Sequence, residues 1–395
     1  MGLGFLHFDS KNIVQFAKFS IDIDGFHIYV TEIYLLGLLV LLAANFRAVY
    51  EKFKKSFSEK NIIFILTLFF LIIGLFRAAF DFFGAPMLVL RNAAFIWYLS
   101  IPLCIYLLPI QVQTLNIYFR IILCVAFFYF TIFNVEFIFG ERHVYWIPFV
   151  SVYAPLALLL VHESWLLAIL FSIPIGFALG AGYWQGLQRT SLVGMFMVFV
   201  VLLVLQKKYI GRIFSRLAIL ISVFLISAFL LANKPGIVVH SFSTNPLKKS
   251  AANATGAEIF RTQMWLDALH LFLEHPLRGV GFREQVVYRV YQGYGFVPND
   301  GKSSQEANGN PIAGPHNSYL NSLARLGVFG ILLFVIHLLA FRRLWIAQAW
   351  PGLFLLYAQM LYAFFNVGLE GPVRSFFLLI SLGMAMKING RSDAS

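Results

Sequence analysis

The chain has 395 residues, 60% of them hydrophobic and 12% charged, and its mean hydropathy is +0.79, which excludes an ordinary water-soluble globular domain. Lys and Arg outnumber Asp and Glu by 30 to 18, a net charge of +12. In so apolar a chain a basic excess first reflects orientation in a bilayer, so no nucleic-acid partner is expected. In chain order, the stretch Met1 to Lys18 lacks a basic end followed by an apolar core, because Asp9 and Lys11 interrupt it, and a cleaved signal peptide is not expected. Asp22-Ile-Asp24-Gly25 reads as a polar turn leading into the first helix. An Asp-x-Asp pair is also a candidate metal site, but two carboxylates without further ligands rarely define one.

Apolar segments suited to crossing a bilayer follow near Phe26–Phe46, Ile62–Phe80, Ala93–Ile110, Ile117–Phe139, Ile147–Val161, Trp165–Tyr183, Thr190–Leu205 and Ile213–Ala232. After a long polar stretch come Tyr319–Phe341, Leu353–Val367 and Ser375–Met386. The fold class is therefore an all-α polytopic membrane protein of about 11–12 transmembrane helices. A single integral membrane domain over 1–395 is expected, with residues 234–317 forming one large loop within it. Cys104 and Cys124 fall inside predicted spans as small apolar residues and suggest neither a disulfide nor a metal.

Basic residues gather in Arg47–Lys60, at Lys207, Lys208, Arg212 and Arg216, at Arg342 and Arg343, and at Lys387 and Arg391, which marks these connections as cytoplasmic. The long loop then faces outward. Outer connections and helix ends carry Arg77, Arg91, Arg142, Arg189 and Arg374, with no Lys among them. Two readings stand: lipid-headgroup contact or ion pairing with Asp81, Glu136, Glu141 and Glu370, or a collar for a phosphate-bearing lipid, since a planar guanidinium offers paired donors to phosphate oxygens. Arg77, Arg91, Arg142, Arg374 and Glu370 are candidates for a donor site by position only.

Within the loop, Ile259, Phe260, Met264, Trp265, Ala268, Leu269 and Phe272 recur at three- and four-residue intervals, which predicts an amphipathic helix over Glu258–Glu274 able to lie on a membrane surface. His275-Pro276 ends it, and Gly279 and Gly281 permit a tight turn before a second short helical stretch near Glu284–Tyr291. Gly293–Pro315 reads as irregular. Asn317 or Ser318 then caps the helix that begins near Tyr319, which puts His316 at its positive end. The helix dipole and nearby arginines hold such an imidazole neutral, the form a general base needs. A histidine that merely anchors a helix at the interface is the plain alternative.

These residues resemble the bacterial O-antigen ligase family, within the group that also holds O-antigen polymerases and protein O-oligosaccharyltransferases. Arg189-Thr-Ser-Leu192 matches Arg-x2-Leu. His316-Asn317, followed after nine residues by Gly327-Val-Phe-Gly330, matches the longer pattern His-[Asn/Ser/Gln]-x9-Gly-x2-[Gly/Thr/Tyr]. Arg261-Thr-Gln-Met-Trp265 and Pro276-x2-Gly279-x-Gly281 are similar to further stretches of the group. The resemblance is strongest from Gly186 to Gly330. It implies a GT-C-like glycosyltransferase of the bacterial inner membrane, active on the periplasmic face, with no nucleotide sugar and no metal cofactor. The implied reaction moves a glycan from undecaprenyl pyrophosphate to a hydroxyl of the lipid A core oligosaccharide in lipopolysaccharide biosynthesis. Carried over by motif, His316 is the base that activates the acceptor, Arg189 and Arg261 bind the pyrophosphate, and Asn317 is an additional donor or structural contact.

An O-antigen polymerase uses the same donor, and protein O-oligosaccharyltransferases of the group tend to be longer. One large loop rather than two favours the ligase. A membrane transporter is the non-enzyme alternative, resting on the charges Glu32 and Arg325 within spans. For Arg325, pairing with an acid is a sufficient structural account. The reactive-looking residues gather at one face, whereas a carrier's site belongs near the bilayer centre.

Overall fold

The computed structural model describes residues 20–23, 26–115, 117, 210–232, 264–283, 291–292, 295–296, 317–365 and 372–388. Two compact units divide the chain: one combines Met1–Leu115 with Gly256–Ser395, and the other is Asn116–Thr255. The expected spans near 117–139, 147–161, 165–183 and 190–205 lie outside the described residues. In the second unit the described element is the Ile210–Ala232 helix, close to the expected Ile213–Ala232.

Among the described residues, the first unit is helical apart from two short hairpins. Ser20–Ile23 pairs antiparallel with Phe26–Tyr29, setting Asp22 opposite His27, and Tyr291–Gln292 pairs with Gly295–Phe296. The first hairpin shortens the expected first span, whose helix starts at Val30 and ends at Ala44. Alternation of Ile, Phe and Tyr with polar residues over 20–29 suits a strand ladder better than a helical turn. The Phe46–Ser58 helix then turns off at 94° to its predecessor. Sequence patterning had marked this stretch only as a basic connection. Yet Lys, Arg and Glu are good helix formers, and Val49, Phe53 and Phe57 recur on one side, where Phe53 and Phe57 meet the ring of Phe64 edge-on at 5.7 and 5.9 Å.

The Ile62–Phe82 helix is long and apolar enough to cross a bilayer. At 21 residues and about 1.5 Å per residue it spans roughly 30 Å, one hydrocarbon thickness. Pro86 begins a further helix, Pro86–Asn92, where its missing N–H costs nothing. The segment expected as Ala93–Ile110 is broken into Ala94–Tyr98 and Ser100–Leu107. Pro102 supplies the reason: it has no N–H for the Tyr98 carbonyl. Close packing also fixes these pieces. Gly74 of the long helix faces Ile96, leaving no room for a Cβ.

Ser318–Ile346 forms a second span-length unit. It is not a uniform α-helix, because Ser318–Leu326 passes through a 3₁₀ turn at Gly327–Gly330 before Ile331–Ile346. Trp350–Phe365 and Pro372–Lys387 complete the bundle. Glu32 receives a hydrogen bond from the Tyr98 hydroxyl at 2.5 Å, so this carboxylate ties the Val30–Ala44 helix to its neighbour.

Candidate functional site

Asn317 is the cap of the Ser318–Leu326 helix. Its backbone is extended, and its side-chain Oδ1 accepts from the N–H groups of Tyr319 and Leu320 at 3.1 and 3.0 Å, satisfying two donors that a helix start leaves open. Asn317 is 4% exposed, so water does not replace these bonds easily. Two residues on, Tyr319 anchors the helix sideways. Its hydroxyl shares a 3.0 Å hydrogen bond with His337 Nδ1, and its ring packs against Phe334 and Phe364. Asn317→Ala should therefore destabilise the protein by about 1 kcal/mol, measured as a lower unfolding temperature in detergent; an unchanged temperature would mean the cap is dispensable.

The described loop helix, residues 264–274, lies against the same element. Met264 and Ala268 are buried with Ala324, and Leu271, Val280 and Leu320 pack around them. Leu320 is in the first turn of the Asn317-capped helix. The other side of the loop helix exposes Leu266, Leu269 and Leu273, and Leu277 follows in the turn. Sequence periodicity had assigned Leu269 to the same face as Met264. The helix has two apolar sides, one buried in protein and one open, because Leu residues also occupy the far side.

The turn after this helix is locked into the end of the next one by main-chain bonds. Val280 and Gly281 donate to the carbonyls of Ala324 and Arg325, each at 2.9 Å, and Val328 donates to the Pro276 carbonyl at 2.7 Å. Glycine is required at three positions of this junction. Gly279 has φ +64, Gly281 φ +81 and Gly327 φ +61. A Cβ at Gly279 would strike the Arg325 carbonyl, and one at Gly327 would strike the Pro276 and Leu277 main chain. The glycines of both sequence patterns are thus two halves of one backbone junction.

Charged side chains complete it. Arg325 is 3% exposed; its Nε donates to Asn321 Oδ1 at 3.2 Å and its Nη1 to the Gly281 carbonyl at 3.0 Å. Its guanidinium also stands 6.0 Å from the Phe282 ring centre, within cation–π range. Phe282 is fully buried beside Phe95. Its N–H donates to Asp81 Oδ2 at 2.7 Å, and its carbonyl accepts from Asn92 at 2.9 Å. Arg77 Nε lies 3.2 Å from that same Asp81 oxygen, at an angle that makes the contact electrostatic rather than a hydrogen bond. Both side chains lie against Gly281. The C-terminal end of the Ile62–Phe82 helix therefore grips the loop.

Of the residues singled out by sequence, Arg77 and Asn317 enter this assembly. Arg91 lies on the Pro86–Asn92 helix and Arg374 on Pro372–Lys387. His316, Arg189, Arg261, Arg142 and Glu370 lie outside the described residues, as do Asp24 and the expected second loop helix over most of its length. Sequence reading did not single out Asn92, Asn321 or Phe282. Only the two glycine patterns hinted at them, since a glycine fixed by main-chain contact implies a partner strand of chain nearby.

These features define a polytopic helical membrane protein whose loop is built into the start of a capped span. Residues 177–335, less than half of the chain, match the family model described as O-antigen ligase. No curated protein matches the chain.

Proposed function

We propose that the protein is an O-antigen ligase of the bacterial inner membrane, transferring a glycan from undecaprenyl pyrophosphate to a hydroxyl of the lipid A core oligosaccharide on the periplasmic face. His316 removes the proton of the acceptor hydroxyl, whose oxygen forms the new bond to the anomeric carbon. The bond from that carbon to the phosphate oxygen breaks, and its electron pair leaves on the pyrophosphate. Arg189 and Arg261 hold this leaving group, whose growing charge fixed guanidinium donors stabilise more in the transition state than before it. One direct displacement inverts the anomeric centre and calls for one base and one charge sink.

The observation that supports this reading best is the packing of Met264 against Ala324 and Leu320. Met264 stands three positions after Arg261, and Leu320 four after His316, so the chain segments leading out of both motifs meet in one small core. The backbone junction at Gly279 and Gly327 fixes that relation, as catalysis by pre-positioned groups needs. The charges that made a transporter worth weighing have structural partners, Tyr98 for Glu32 and the Gly281 turn for Arg325. Charge supports the periplasmic placement of the loop, because the basic Phe46–Ser58 helix and the loop-gripping Arg77–Asp81 end lie at opposite ends of the Ile62–Phe82 span.

A deletion strain tests the reading. The expected lipopolysaccharide profile is bare core, with long glycan accumulating on undecaprenyl carrier. Core bearing a single repeat unit would instead identify an O-antigen polymerase.

A further inference from the structure

The turn that follows the 264–274 loop helix sits level with the last turns of the Ile62–Phe82 span. The Arg77 and Asp81 side chains lie against Gly281, and Asp81 accepts from the Phe282 N–H at 2.7 Å. Arg77 stands five residues before the end of that span, about 7.5 Å inside it. On the other side of the turn, the Leu277 main chain lies against Gly327. Two residues beyond Gly327, the Phe329 ring meets the ring of Phe69 at 6.4 Å. Phe69 is thirteen residues short of Phe82, about 20 Å from that end. In a span of one hydrocarbon thickness both contacts lie at bilayer depth.

The open side of the loop helix is an apolar row. Leu266, Leu269 and Leu273 recur at three- and four-residue intervals opposite the buried Met264 and Ala268, and Leu277 extends the row into the turn. Leu273 and Leu277 are 71 and 74% exposed. The row runs on into a span, because Val328 donates to the Pro276 carbonyl at 2.7 Å, and Val328, Phe329 and Ile331 are themselves exposed. Those three belong to Ser318–Ile346, which is long and apolar enough to cross a bilayer. An apolar row continuous with such a surface shares its surroundings. Polar residues of the helix keep to one stripe, Asp267, His270 and Glu274, where His270 Nδ1 lies 3.3 Å from Glu274 Oε1. A helix with a single polar stripe fits an element sunk in the membrane interface, with that stripe toward water.

We propose that the 264–274 helix is seated in the leaflet on the loop side, with Leu266, Leu269, Leu273 and Leu277 against the acyl chains of the bilayer. The partner is the acyl-chain layer rather than a charged headgroup, because the polar stripe beside the row carries two acids and no Lys or Arg. Seated in this way, the loop stays at the lipid surface, where any substrate carried on a membrane lipid arrives. The inference concerns how the loop is held, and it stands whether or not the glycan-transfer reading does.

The test uses the full-length protein carrying Cys104→Ala and Cys124→Ala, reconstituted in phosphatidylcholine vesicles. One nitroxide at a time is attached through Leu269→Cys, Leu273→Cys or His270→Cys, all at exposed positions. Leu36→Cys, on the exposed side of the Val30–Ala44 helix, supplies the acyl-chain reference. Collisions with oxygen, which concentrates in the bilayer, are compared with collisions with a water-soluble nickel chelate. The oxygen-to-nickel ratio at Leu269 and Leu273 should match that at Leu36 and fall severalfold at His270. Replacing half of the phosphatidylcholine by phosphatidylglycerol should leave the ratios unchanged. Nickel-dominated collisions at either leucine would put the row in water and overturn the proposal. Poor access for both reagents there would overturn it too, since that result marks a protein cover such as a second copy of the chain.

Discussion

Replacing His316 with alanine is expected to abolish glycan transfer while leaving the protein in the membrane. Loss of a general base typically costs roughly 10²–10⁴-fold in rate, enough to remove polymer-bearing lipopolysaccharide from a complemented strain. The fold should tolerate the change, because the cap that starts the next helix is made by Asn317, whose Oδ1 takes both Tyr319 and Leu320 N–H groups. The measurements are the lipopolysaccharide profile and the amount of protein in membranes. Normal transfer by the variant would remove the assignment of base to His316.

The second large effect is structural. Gly279→Ala places a Cβ against the Arg325 carbonyl at φ +64. A non-glycine residue in that conformation costs roughly 1–3 kcal/mol, and displacing the turn also weakens the bonds from Val280 and Gly281 to Ala324 and Arg325, each about 1 kcal/mol net. The sum, on the order of 3–5 kcal/mol, is a large share of the stability of an ordinary domain. The variant should show a much lower unfolding temperature in detergent and faster proteolysis in the loop. Gly37→Ala is the control, since a Cβ there meets nothing within 4 Å, and it should behave as wild type. Wild-type stability of Gly279→Ala would mean that the loop and the capped helix are not locked together.

Much of the scaffold was legible because long apolar runs leave few alternatives. Ile62–Phe82 was expected within two residues of its observed end, and Asn317 is one of the two residues, with Ser318, expected to cap the next helix. The loop helix was legible as a helix, but its buried side was not: Leu266, Leu269 and Leu273 make the far side apolar too, and periodicity cannot choose between two apolar faces. In the Phe46–Ser58 helix the density of Lys, Arg and Glu hides the apolar spacing, which only Val49, Phe53 and Phe57 carry. The junction itself was beyond sequence. Pro276–Gly281 and Gly327–Gly330 lie about fifty residues apart in the chain, and nothing in either pattern says that one supplies the carbonyls the other's N–H groups require.

The central claim is most directly tested by reconstituting the purified protein with undecaprenyl pyrophosphate-linked glycan and lipid A core oligosaccharide, and following where the labelled glycan goes. Transfer to the core, lost in His316→Ala and with the anomeric configuration inverted, is the predicted result. Label appearing on a second lipid-linked glycan, with the core left bare, would contradict it.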